Sequence, residues 1–255
     1  MPAEESAGMR TKPPDNRSGG SFFLRQVYSR PGGRIVEGNV RAIIVAGGQL
    51  DTGEEWRRWV REGDLVVGAD GGAAQALAWG FEPQVVIGDM DSIPDHVRAH
   101  LEGQGARFVV HPRAKDETDL ELALAFAVEQ GAREIVVLGA MGGRLDHTLS
   151  NVLLLALPAL EGVCVRIAAG QEDALLLRGG GAAILEGQAG DLVSLLPLGG
   201  DVRGVTTGGL AWALEGATLR FGHSRGVSNE MTGPVARIAI DEGYLLVVHG
   251  PTPQE

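Results

Sequence analysis

From Val40 onward the chain alternates short, mostly apolar runs with stretches of helical period. VRAIIVAGG (40–48), DLVVGADGG, VVIGDMDS, RFVVHP, REIVVLGAMGG and VCVRIAA lack the strict apolar/polar alternation of half-exposed strands, and predict strands buried on both faces. Between them, AAQALAWG, DHVRAHLEGQG, TDLELALAFAVEQG and LDHTLSNVLLLAL carry apolar positions at helical spacing, and WRRWVREG precedes the second strand. This β/α alternation predicts a mainly parallel sheet flanked by helices on both faces over residues 39–172. The pattern then changes. AAILEG, DLVSLLPLG, LAWALEG, ATLRFG, ARIAIDEG and YLLVVHG are short, Gly-punctuated strand candidates with no helix among them, so residues 173–255 read as an all-β sandwich. The fold class expected is therefore α/β followed by a β-sandwich. Residues 1–38, rich in Pro, Gly, Ser and isolated charges, read as a poorly ordered extension without a core of its own, in which only SFFLRQVY offers a patch for local docking.

Composition narrows the function classes. With 255 residues, 44% of them hydrophobic, the chain can bury a sizeable core. A formal net charge of -11 argues against nucleic acid and anionic membranes as partners, and leaves phosphate-bearing small molecules open only if a cation stands between the anions. Cys164 is the single cysteine, which excludes an internal disulfide and reads as a small buried apolar residue. No apolar run approaches the roughly 18 residues of a membrane span, and no signal-peptide hydrophobic region opens the chain, so a soluble cytoplasmic protein is expected. The histidines show no metal-ligand pair at helical spacing, which disfavours zinc; His111 and His147 fall near the acidic segments and read as structural or peripheral.

The candidate chemistry sits where the strands end. Ligands of parallel α/β sheets gather beyond the carboxyl ends of the strands. Here four such ends carry Asp70-Gly71-Gly72, Asp89-Met90-Asp91-Ser92, Lys115-Asp116-Glu117-Thr118-Asp119 and Gly142-Gly143-Arg144-Leu145-Asp146. Asp89 and Asp91 are two apart, so in an extended segment both carboxylates leave the same side and can share a hard cation. A lone D-x-D is also an ordinary turn, but four acidic ends at one edge repel each other unless a cation neutralises them. Local roles compete for several positions. Thr118 with Glu121 fits a capping box, Asp119 suits the first turn of the following helix, Asp146 and Asp95 fit helix caps, and Gly71, Gly72, Gly142 and Gly143 serve either turns or close approach of backbone amides to phosphate. Lys115 is not explained that way: Lys12 and Lys115 are the only lysines, and the one in the folded region lies inside an acidic segment, where an ammonium suits a phosphate or an acid partner. Arg144 is a second candidate for phosphate oxygens. Neither a Walker P-loop nor a G-x-G-x-x-G fingerprint after the first strand is present.

Taken in order, DGGA (70–73), GDMDS (88–92), KDETDLE (115–121), GGRLDH (142–147), GGLAWALEG (208–216) and SNEMTG (228–233) resemble the thiamine pyrophosphokinase family, from about Val40 to the C-terminus. The resemblance implies an α/β catalytic domain, a C-terminal β-sandwich and a homodimer with active sites between subunits. It implies transfer of pyrophosphate from ATP to the hydroxyl of thiamine with Mg²⁺, giving thiamine diphosphate and AMP. On the same ground Asp89, Asp91 and Asp119 would hold Mg²⁺, with Asp70, Asp116 and Asp146 as neighbouring ligands or hydroxyl-orienting groups. Lys115 and Arg144 would balance the transferred group, and Gly71, Gly72, Ser92, Thr118, Gly142 and Gly143 would lie on the ATP side. Trp212 would pack on the thiamine pyrimidine, beside Ser228 and Asn229; without the resemblance, Trp212 reads as a sandwich-core aromatic. The extension and the loop after VAGGQLD depart from the family pattern. Two other functions remain open at this point: a Mg²⁺-dependent pyrophosphohydrolase, in which water replaces the thiamine hydroxyl, and a non-catalytic thiamine-binding dimer.

Overall fold

The computed structural model describes residues 25–27, 40–48 and 55–252. The expectations for residues 1–38 apart from Arg25–Val27, and for the loop at 49–54, lie outside the described residues. The first half runs β1 (Arg25–Val27), β2 (Val40–Val45), β3 (Leu65–Ala69), α1 (Gly72–Ala78), β4 (Val85–Gly88), α2 (Asp95–Gly103), β5 (Arg107–Val110), α3 (Asp119–Glu129), β6 (Ala132–Leu138), α4 (Leu145–Leu154) and β7 (Cys164–Ala169). The second is strand only among the described residues: β8 (Glu172–Arg178), β9 (Ala182–Glu186), β10 (Leu192–Pro197), β11 (Val202–Gly208), β12 (Ala217–Leu219), β13 (Asn229–Glu230), β14 (Val235–Ala239) and β15 (Tyr244–Gly250). WRRWVREG supplies a short 3-10 turn, Glu55–Trp59, rather than a full helix.

One mixed sheet of ten strands, ordered β13-β10-β15-β8-β7-β6-β2-β3-β4-β5, spans both halves. From β7 to β5 its neighbours run parallel. Alternate strand residues face opposite layers, as the period of two requires. Ala42, Ile44, Val85, Ile87, Ile135 and Val137 pack with α3 residues Leu120, Ala123, Leu124 and Phe126. On the other face, Ile43, Val45 and Val136 meet Trp59, and Val86 meets Ala73 of α1 with Val97 and Leu101 of α2. Helices therefore cover both faces of the parallel part.

The change of architecture near residue 172 falls at the β7–β8 hairpin, where the ladder passes from parallel to antiparallel without a gap. The second sheet, β1-β9-β14-β11-β12, lies over β8, β15 and β10 across a core of Leu175, Leu177, Leu185, Leu195, Ile238, Leu245 and Val247. The expected sandwich thus shares its inner layer with the α/β sheet instead of following it as a separate body. Arg25–Val27 pair antiparallel with β9 at the edge of that second sheet. Cys164 is half-buried at the start of β7. LAWALEG is not a strand: Leu210 makes an isolated bridge to Met231, and the segment from Gly209 to Gly216 is a loop that folds back on β11. Arg178 of β8 donates to the carbonyls of Leu155 and Leu157 at 3.0 and 2.8 Å. A cation placed there satisfies carbonyls left open at a helix end, and ties the end of α4 to the sheet.

Candidate active site

The parallel strands set the site. In order, β3, β4 and β5 lie on one side of β2 while β6 and β7 lie on the other, so the order reverses between β2 and β6. A crevice opens at such a switch point, beyond the carboxyl ends of the strands. Gly48 N–H donates to the Gly139 carbonyl at 2.8 Å and bridges the ends of β2 and β6. Around this point runs an open cleft of about 620 Å³, lined by Gly47, Asp70, Asp89, Asp91, Lys115, Asp119 and Arg144, with Gly71, Ser92, Arg113, Thr118, Gly142, Gly143, His147 and Asn151. All four strand-end segments read from the sequence reach this cleft, the last of them through Gly142, Gly143 and Arg144 and not through its acid, Asp146.

Asp70 follows β3 with its amide bonded to the Ile87 carbonyl at 2.8 Å, which turns its carboxylate toward the end of β4. Asp70, Asp89 and Asp91 each offer an oxygen within 4.8 Å of the others. Gly88 lets the group close up. With φ +153°, a Cβ there would lie 2.9 Å from Asp70 Cβ and 3.1 Å from Asp119 Oδ1. The backbone is strained at this point: among the described residues, the non-glycine residues at positive φ are Asp70 (43°), Met90 (67°) and Ser228 (56°), and two of them belong to this cluster.

Within the cluster some oxygens are engaged and the most buried is not. Asp89 Oδ1 accepts from the Asp91 amide at 3.1 Å, Ser92 Oγ donates to Asp91 Oδ1 at 2.9 Å, and Arg113 Nε lies 3.7 Å from Asp91 Oδ2. Lys115 Nζ lies 2.9 Å from Asp119 Oδ1. Asp70, only 8% exposed, has a buried Oδ1 with no hydrogen-bond partner. Two carboxylates about 4 Å apart repel by roughly 4 kcal/mol at the dielectric of a partly exposed site. A divalent ion with oxygen ligands removes that repulsion and uses the unpartnered oxygen, so the donor set fits a hard cation such as Mg²⁺. The geometry groups Asp70 with Asp89 and Asp91, whereas the sequence reading placed Asp119 there; Asp119 stands beside them, held by Lys115.

Other expected residues fall differently. Asp116 is exposed and does not line the cleft. Gly72 is buried at the start of α1, where a Cβ would collide with the Val45 carbonyl, so it serves helix–strand packing rather than a phosphate. Asp146 is not a cap. Arg144 holds the cap position of α4, and Asp146 lies one residue inside the helix, gripping the Arg144 guanidinium with Nε–Oδ1 3.1 Å and Nη2–Oδ2 2.5 Å. That fork raises the Arg144 pKa and lowers that of Asp146. Asp95 is the first residue of α2, after Pro94 in the cap position. Thr118 does cap α3, accepting from the Glu121 amide at 3.2 Å while also facing the cleft. His147 lines the cleft and is not peripheral. Arg113 and Asn151 were missed; a cation two residues before Lys115 in HPRAK was the available signal for Arg113.

In the second half, Trp212 is 61% exposed and is not a core aromatic. Ser228 donates its amide to Ser194 Oγ at 3.0 Å, and Asn229 is buried beneath the Trp212 loop. Neither Trp212, Ser228 nor Asn229 lines the cleft of its own chain.

The fold and cleft define an α/β protein with an acidic site at the switch point of its parallel strands. Two family models match in order: "Thiamin pyrophosphokinase, catalytic domain" over residues 56–165 and "Thiamin pyrophosphokinase, vitamin B1 binding domain" over residues 183–245. The thiamine pyrophosphokinase of Bacillus subtilis is 28% identical over 205 residues, covering 80% of this chain and 96% of that one. Thiamine pyrophosphokinase 1 of Oryza sativa is 28% identical over 179 residues, 66% of each chain. The crystal structure of the Bacillus subtilis protein superimposes with a TM-score of 0.74 at 27% identity, covering 84% of this chain and 100% of its own. Thiamin pyrophosphokinase from Candida albicans, at 16% identity and a TM-score of 0.70, shares the fold. The chain belongs to the thiamine pyrophosphokinase family.

Proposed function

We propose that the protein transfers the diphosphate group of ATP to the hydroxyl of thiamine, giving thiamine diphosphate and AMP. The observation that carries this reading is a cation-ready acid cluster in the half that matches the family's catalytic model, on a chain whose other half matches the vitamin B1 binding model. In this reaction the thiamine oxygen forms a bond to the β-phosphorus of ATP, the bond from that phosphorus to the α–β bridging oxygen breaks, AMP leaves with the bridging oxygen, and the hydroxyl proton is released. Such transfers ask the protein chiefly for positioning and neutralisation of charge. Asp70, Asp89 and Asp91 hold Mg²⁺, with Asp119 alongside. The ion, when bound, neutralises phosphate oxygens and so lets an acidic cleft accept ATP. Lys115, Arg113 and Arg144 supply the cations on the protein side, and the glycines at 47, 48, 142 and 143 leave room for phosphates at the backbone.

The thiamine side comes from a second copy. Trp212 and Ser228 do not line their own cleft, while α4, which begins directly after the cleft residue Arg144, exposes Leu145, Leu149 and Leu153 along one face. A stripe of three exposed leucines at helical spacing is the mark of a covered face, and we assign it to a homodimer that brings Trp212 of each copy to the cleft of the other. The ring of Trp212 then packs against thiamine, whose cationic thiazolium suits an acidic, aromatic-lined site. Among the described residues no helix is long and apolar enough to cross a membrane, and a lone cysteine suits a reducing compartment, which supports a cytoplasmic enzyme. Incubation with thiamine, ATP and Mg²⁺ followed by separation of products tests the reading. AMP with thiamine diphosphate supports it; ADP, or free pyrophosphate without thiamine diphosphate, overturns it.

A further inference from the structure

The Trp212 loop is held by one side chain. Asn229 is 6% exposed on β13, whose residues pair with Leu192 and Val193 of β10. Its Oδ1 accepts from the Trp212 amide at 3.0 Å and from the Glu230 amide at 2.9 Å, and its Nδ2 donates to the Trp212 carbonyl at 2.8 Å. Both backbone polar groups of Trp212 are thus taken by a single planar amide, much as a neighbouring strand would take them. The rest of the loop is fixed at its base. Thr207 Oγ1 accepts from Leu214 N at 2.9 Å, Thr206 Oγ1 from Gly216 N at 3.1 Å, and Ala211 N donates to the Glu230 carbonyl at 2.8 Å. Asn229 pairs with Val193, directly after Ser228, which has φ +56° and donates its amide to Ser194 Oγ at 3.0 Å. The result is a rigid main chain beneath an indole that stands 61% exposed.

From this we infer that Asn229 is a positioning residue for the thiamine site, acting through Trp212 rather than by touching the substrate. The inference rests on the reading of Trp212 as the surface that packs on thiamine, and it changes the role implied for Asn229, whose amide is already committed to the loop. An aromatic platform on a free loop must be ordered when ligand binds, and that ordering costs affinity; a platform ordered beforehand avoids the loss. No other described group is bonded to both the amide and the carbonyl of Trp212. Removing the clamp is therefore expected to weaken thiamine binding while leaving the chemistry at the acid cluster in place.

The test is a double-mutant cycle on the full chain, read as KM for thiamine and kcat at saturating thiamine. Asn229→Ala is expected to raise the KM for thiamine about tenfold, with a fall in kcat below about threefold and little change in the KM for ATP. In a Trp212→Ala background, the same substitution is expected to add less than about twofold to KM, because the group through which it acts is gone. Should Asn229→Ala fail to yield folded protein, Asn229→Ser serves in both backgrounds, since it keeps a neutral hydrogen-bonding side chain but cannot engage the amide and the carbonyl of Trp212 together. An equal rise in KM with and without Trp212 overturns the inference, as does an unchanged KM in the single variant. If Trp212→Ala alone leaves the thiamine KM unchanged, the reading of Trp212 fails and the inference fails with it, a result distinct from the other two.

Discussion

Asp70 and Asp173 belong to the same ten-stranded sheet region and are both more than nine-tenths buried, yet they are neutralised in different ways. Asp173, on β8, has a cation of the protein's own beside it. Arg166 Nε lies 3.1 Å from one of its oxygens and His249 Nδ1 lies 3.6 Å from the other; His249 Nε2 in turn lies 3.6 Å from Asp191. Arg58 lies close enough that burial lowers its pKa while Asp173 partly restores it. The network lines a small cavity where Trp59 of the α/β half meets Glu186 and Gln188 of the second sheet's side. Asp70 has no such cation among the described residues. Two further carboxylates stand beside it, Lys115 is taken up by Asp119 and Arg144 by Asp146, and Arg113 reaches only Asp91, at 3.7 Å. Asp70 Oδ1 and Asp173 Oδ2 are both buried without a hydrogen bond, but the latter has the Arg166 guanidinium 3.1 Å away. Buried acid with its own counter-ions is architecture; buried acid left short of positive charge is a place for a ligand that brings it.

The largest effect expected from breaking this comparison is at the cleft. Asp91→Asn removes a cation ligand and should lower turnover at least about 100-fold, while the thermal midpoint without metal holds or rises because one repulsion has gone. Steady-state assays and thermal melts measure the two halves of that statement. Next comes the seam. Asp173→Asn leaves the Arg166 charge buried without its carboxylate and should cost about 3–5 kcal/mol in urea unfolding, with the Mg²⁺ dependence of the folded fraction's activity unchanged.

A smaller effect concerns the exposed pair at the rim. The Arg144 fork holds the Asp146 carboxyl below the usual carboxylate range. A depressed carboxyl stabilises the fold above its unfolded value, and that contribution is lost as pH falls through the folded value. NMR titration of Asp146 should therefore show a midpoint below the ordinary one, returning toward it in Arg144→Ala.

Much of the cleft was legible because strand ends are marked twice, by the close of an apolar run and by Gly or Asp beyond it. The cap of α3 was legible for the same local reason: Thr118 and Glu121 are three residues apart, and the bond between them needs no tertiary context. The family resemblance already placed Asp70 as a neighbouring ligand, but that Asp70, rather than Asp119, closes the group with Asp89 and Asp91 was not legible, since it depends on a positive φ and on the lateral order of β3 and β4, neither of which a linear pattern contains. LAWALEG misled because its apolar alternation copies a strand, whereas its structure comes from side-chain bonds of Thr206, Thr207 and Asn229 to its backbone. The continuity of β7 with β8, β15 and β10 escaped because short antiparallel strands do not announce which sheet they join. The seam network had a visible trace, ionisable residues inside the apolar runs VCVRIAA, QEDALLL and YLLVVHG, but only pairing brings Arg166, Asp173 and His249 together.

The comparison reduces to whether the Asp70 cluster takes up a divalent ion as the Asp173 cluster does not. Titration of metal-free protein with Mn²⁺, following the free-ion EPR signal, measures this without nucleotide or turnover. Binding with a dissociation constant on the order of a millimolar or tighter is expected, weakened at least about tenfold by Asp89→Asn or Asp91→Asn and unaltered by Asp173→Asn. Equal binding by the wild type and Asp91→Asn, or no binding by the wild type, would contradict it.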